Sequence, residues 1–257
     1  MVSRLAVTIT LAAGCWAQGP VSAVAFKQDT PALSRESSTP TKITPEMRGD
    51  IQMARKMYRE AVESYSLADV KSPIIVNKIG IAYHQMLELE LARKHYERAL
   101  KLDPKYSEAL NNLGTIYYAK KNYRRAVSFY NRALKLKPLA ASIHSNLGTA
   151  QFARKKYKDA AIAYEKALSI DPEVFEHRGS NGVLLQERSV TERALFHFYL
   201  AKTYAKAGAV ERALTYIRKS LEEGFKEREK FQKEPEFAML QELPEFQALM
   251  ASEPRVL

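Results

Sequence analysis

Histidines and carboxylates carry much of protein chemistry, and the histidines here are His84, His95, His144, His177 and His197. A zinc-protease site needs two histidines one helical turn apart on a shared face; none of these is so placed, and no carboxylates stand near them with metal-ligand spacing. The sequence also lacks a phosphate-cradling glycine loop, a dinucleotide-binding glycine fingerprint and a strained serine elbow. One polar cluster remains, Glu176, His177 and Arg178, beside the turn-forming run Gly179 to Gly182. Three consecutive residues of a turn cannot converge on one substrate atom, so the cluster reads as a solvated loop. The sequence gives no positive sign of catalysis and calls for no metal or cofactor.

Candidate binding residues recur instead. Asn111, Asn112, Thr115 and Tyr118 match Ser145, Asn146, Thr149 and Phe152 at a spacing of 34, and match Asn77, Lys78, Ile81 and His84 at the same spacing upstream. Amides and hydroxyls flanked by aromatic rings suit an extended peptide, whose backbone they can hydrogen-bond. A second recurrent group is basic: Lys120, Lys121, Arg124 and Arg125 are followed by Arg154, Lys155, Lys156 and Lys158. Stacked on one another, these would form a cationic ridge suited to an anionic surface, with an attraction that salt screens.

The elements that position both groups follow from the same period. Small residues at Gly49, Gly80, Gly114, Gly148 and Ala201 recur at spacings of 31, 34, 34 and 53, and Ala61, Ala92, Ala126, Ala160 and Ala213 keep those spacings. So do Tyr65, Tyr96, Tyr130, Tyr164 and Ile217, and Pro73, Pro104, Pro138 and Pro172 close the first four units. Within a unit, Leu110, Leu113, Gly114 and Tyr117 share one face of a helix, with a gap at the glycine where a second helix can approach. The second helix presents Ala126, Tyr130 and Ala133, and Pro138 stops it because proline has no amide proton and clashes with the preceding turn.

This pattern resembles the tetratricopeptide repeat, and the resemblance covers residues 45–225. It implies an all-α, right-handed superhelical solenoid of about five helix pairs, with units near 45–72, 73–106, 107–140, 141–174 and 194–225 and an insertion at 175–193. It also implies that the recurrent amides line a concave peptide-binding groove. Some members hold a C-terminal carboxylate there with several cations; this chain offers only Lys78 in its three central units, so that specificity does not carry over. Arg48 stands where a leucine is expected and Phe225 replaces the last proline, as befits atypical terminal units. Ser189 and Glu192 have capping-box spacing and open the last pair, while the similar pieces PEFAML and PEFQAL within 226–257 read as short helices capping the open end.

Residues 1–25 have the order of a secretory signal: one cation at Arg4, an apolar run from Leu5 to Ala13, then small residues offering cleavage near 17, 23 or 25. That run is too short to span a bilayer, which takes about 20 residues, and nothing downstream is longer, so no transmembrane segment is expected after signal removal. An alternative is a bacterial lipoprotein signal with lipid attached at Cys15, although Ala12 and Trp16 depart from its pattern. Residues 26–44, rich in Ser, Thr and Pro, are too polar to order themselves and read as a linker. The net charge of +11 on an exported chain points to anionic proteins, lipids or wall polymers rather than nucleic acid. The expectation is an exported bacterial scaffold, periplasmic or extracellular and not an enzyme, that binds protein or peptide in its groove and organises an envelope complex. The alternative is a basic adaptor that holds anionic lipid or wall polymer on its ridge.

Overall fold

The computed structural model describes residues 43–176 and 189–252; the signal, most of the linker, the Gly179 to Gly182 turn, His177 and Arg178 lie outside these residues. Five antiparallel helix pairs follow one another: α1 (Pro45–Ala54) with α2 (Tyr58–Ser66), α3 (Pro73–Gln85) with α4 (Leu89–Leu102), α5 (Ser107–Ala119) with α6 (Tyr123–Leu136), α7 (Ala141–Ala153) with α8 (Tyr157–Ile170), and α9 (Val190–Lys206) with α10 (Val210–Glu222). Each second helix also packs on the first helix of the next pair, and α3, α5 and α7 touch side by side. The result is the all-α solenoid that the period implied.

Local chemistry sets the boundaries. Thr44 Oγ1 accepts from Met47 N at the start of α1, with Pro45 in the first turn, and Ser189 and Glu192 complete a reciprocal capping box on α9. The recurrent glycines have a specific partner: a Cβ on Gly114 would stand 2.4 Å from Cε1 of Tyr130, and Gly49, Gly80 and Gly148 face Tyr65, Tyr96 and Tyr164 in the same way. Each tyrosine ring therefore lies on the bare backbone of the first helix. In the fifth unit both slots change together, to Ala201 and Ile217, and both are fully buried. A smaller side chain on the second helix makes room for the methyl on the first. Ser220, in the fifth-unit slot that corresponds to Ala133, donates 2.7 Å to Ala194 O across its pair.

The stack changes character after the fourth unit. Phe152, Tyr157, Phe196 and Tyr199 form an aromatic joint there, with ring centroids 5.1–6.0 Å apart, and Phe175 from the start of the insertion lies between Tyr164 and Tyr204. Beyond α10, α11 (Glu229–Lys233), a 3₁₀ turn (Pro235–Leu240) and α12 (Pro244–Ala251) close the end. Phe231, Phe237, Leu240 and Phe246 are buried there. Phe198 on α9 stacks on Phe225 at 4.6 Å and meets Phe231 edge-on, and Lys202 pairs with Glu234 and Glu236. These contacts take the place that the first helix of a sixth pair would occupy. Among the described residues no helix is long and apolar enough to cross a membrane.

Candidate functional site

Side-by-side packing of α3, α5 and α7 makes one wall, and the recurrent polar residues stand on it. Their amides have found one another. Asn112 Nδ2 donates 3.0 Å to Asn77 Oδ1, and Asn146 Nδ2 donates 3.0 Å to Asn111 Oδ1. Lys78, in the slot of Asn112 and Asn146, makes the same step one unit earlier by donating to Glu46 and Asp50 at 2.8 Å. The three contacts form a ladder that fixes each first helix to the next.

This differs from the sequence expectation that these side chains are spare donors and acceptors for a ligand. Asn77 is 3% exposed and Asn146 2%, and Ser145, Thr149 and Phe152 are also buried. Thr115 and Thr149 donate back to Asn111 O and Ser145 O in their own helices and meet the hydroxyls of Tyr130 and Tyr164. At Lys78, burial works against the charge, but its hydrogen bonds to Asp50 and Glu46 prevail and raise its pKa. The surface of the wall therefore consists of its partly exposed members, Lys78, His84, Asn111, Asn112, Thr115 and Tyr118, with Gln85 and Ala119 exposed at the helix ends. His84 meets Tyr96 edge-on at 6.5 Å, and burial holds its pKa below the usual value. Tyr118 rests on Tyr123 at 5.2 Å.

The basic residues lie elsewhere, at the turns joining first to second helices. Lys120, Lys121, Arg124, Arg154 and Lys156 line a cleft of about 570 Å³ together with Asn122 and Tyr123. Lys155, at the apex of its turn, and Lys158 are exposed beside it. Lys120 is paired with Glu90, and Arg125 lies over the Tyr117 ring. Of the remaining polar cluster, Glu176 accepts from the Tyr216 hydroxyl at 3.3 Å. His144 Nε2 lies 2.9 Å from Pro138 O, a structural contact between the fourth unit's first helix and the proline that closes the third.

The period of 34, the helix pairs and the glycine–tyrosine contact agree with the sequence families that match. Two tetratricopeptide repeat models match the chain, over residues 71–138 and 122–174. Residues 71–174 carry tetratricopeptide repeats. Similar solved structures include MamA, at 21% identity over 68% of this chain and 93% of that one with a TM-score of 0.47. MamA from residue 41 to the end, from Desulfovibrio magneticus RS-1, gives 19%, 68%, 89% and 0.48 in the same order. The first TPR of Spaghetti (RPAP3), bound to the HSP90 peptide SRMEEVD, gives 22%, 43%, 90% and 0.41. These likenesses are partial, and the site in this repeat protein rests on its own residues. No curated protein sequence matches the chain.

Two features of the repeats went unread in the sequence. One is the left-handed residue at the apex of each interhelix turn, Lys56, Leu87, Lys121, Lys155 and Gly208; only the last has a residue type that announces it. The other is the amide ladder, for which the spacing of 35 between bonded asparagines, one more than the repeat, was the available signal.

Proposed function

We propose that the protein is an exported, non-enzymatic scaffold that holds a protein or peptide against the wall formed by α3, α5 and α7, and so helps to organise an envelope complex. The observation that carries the binding part is the ladder. By joining Asn77 to Asn112 and Asn111 to Asn146, it holds three helix faces in fixed relation, and a surface ordered in advance loses less entropy when a ligand binds. The open positions of that surface combine polar groups at Gln85 and Asn112 with the rings of His84 and Tyr118, a set suited to polypeptide. Export is supported by the order of charge, apolar run and small residues in the first 25 positions.

The test is a steric block. Ala119 is exposed at the end of α5, so Ala119→Arg adds bulk to the wall without disturbing packing. Protein retained by the wild-type chain from an envelope extract should be lost or reduced about tenfold, a change of 1.4 kcal/mol, with the melting temperature unchanged. Undiminished retention would contradict the reading. Mass spectrometry of the cellular protein tests export separately: an N-terminus near residue 18, 24 or 26 supports it, as does a lipidated Cys15, and an intact Met1 contradicts it.

A further inference from the structure

The turns between first and second helices of the first four units all have their apex residue in the left-handed region, with φ of 60° at Lys56, 62° at Leu87, 58° at Lys121 and 60° at Lys155. Since the units stack, these apices share one edge of the solenoid, just beyond the C-terminal ends of the first helices, with neighbours about 10 Å apart. A side chain with a Cβ is disfavoured in this conformation, which glycine adopts freely, and Gly208 takes it in the fifth unit. Leu87 is the exceptional apex. It accepts the backbone strain and is also 79% exposed, more than any other large apolar side chain among the described residues.

Beside it the edge is cationic. Lys121, Arg124 and Lys156 come together at the cleft between the third and fourth turns with no carboxylate in ion-pair range among the described residues. The acids nearby are few: Glu88 is next to Leu87, Glu90 is engaged by Arg93 and Lys120, and Asp159 lies in the first turn of α8. Turns of the flanking units carry no such cluster, with Leu87 and Glu88 on one side and Gly208 and Ala209 on the other.

We propose that this edge docks on an anionic lipid surface, with Lys121, Lys155 and Arg124 at the lipid phosphates and Leu87 entering the boundary between headgroups and acyl chains. Charge complementarity alone would fit an acidic polypeptide equally well. The strained, protruding leucine beside the cations favours a membrane, whose surface is anionic outside and apolar just beneath. The docking edge lies at the C-terminal ends of the first helices, so the wall at Asn112 and Thr115, further back along α5, stays open to a protein partner.

Sedimentation of the full chain with vesicles tests this, using phosphatidylcholine alone and phosphatidylcholine mixed with phosphatidylglycerol. The wild-type chain should prefer the anionic vesicles, and the preference should weaken with salt. Lys121→Glu combined with Lys155→Glu should lower binding by about tenfold or more. Leu87→Gly should lower it about threefold while leaving the melting temperature equal or higher, since glycine relieves the turn. Any segment common to all variants cancels in these comparisons. Equal binding to both vesicle types would overturn the proposal, as would variants that sediment like the wild type. Capture by polyglutamate without sedimentation on anionic vesicles would also overturn it, in favour of an acidic protein partner.

Discussion

Gly114 and Tyr130 form a single packing unit: the ring occupies the space that a Cβ would need, 2.4 Å from Cε1. Gly114→Ala should therefore destabilise the protein by about 1–3 kcal/mol through overpacking, and Tyr130→Ile by about 2–4 kcal/mol through a lost ring. The fifth unit already combines Ala201 with Ile217, so the double variant should lose less than the sum, with a favourable coupling of about 1 kcal/mol or more by denaturant unfolding. Strict additivity would show that the two slots do not compensate. Histidines give a second prediction at this scale. Burial lowers the pKa of His84, and burial with the charge of Arg98 lowers that of His95. The unfolded chain then binds protons first as pH falls through the ordinary histidine value near 6.5, so stability is complete above that value and is lost on the way down to the folded pKa. The melting temperature should fall by a few degrees between about pH 7.5 and 5.5, and His84→Gln with His95→Gln should flatten the profile. A flat wild-type profile would contradict the assignment.

Helices and turns were legible to different degrees. Alanine, tyrosine and proline slots located every pair from α3 to α8 because each slot answers to one steric demand that recurs with the period: close crossing, filled volume, or a stop. The turns were not legible, since lysine and leucine at their apices give no sign of left-handed backbone, which the surrounding helices impose. The wall was half legible. The period places the asparagines at equivalent positions of successive first helices, but whether an amide there meets a ligand or the neighbouring helix depends on the lateral offset between units, which sequence spacing within one unit does not contain. The ladder makes its own prediction. Asn111→Ala strips the acceptor from the buried Asn146 amide and should cost about 1–3 kcal/mol. Asn112→Ala strips the donor from Asn77, which is just as buried, and should cost a similar amount; small effects in both would mean that the rungs contribute little.

For the described chain as a whole, the two ends of the stack are treated differently. At one end the C-terminal helices bury Phe198 and Phe225 beneath Phe231 and Phe237, closing the solenoid as a sixth unit would. At the other, Ile43 before α1 and Met47 and Ile51 within it stay exposed. Between them the wall of first helices is the surface on which the functional reading depends. Site-specific photocrosslinking in the native envelope tests that reading most directly, with the reactive group placed in turn at Ala119 on the wall and at Ile162, which is 66% exposed on the second helix α8. The account predicts a discrete protein adduct from position 119 and none from position 162. Adducts from position 162 alone, or equally from both, would contradict it.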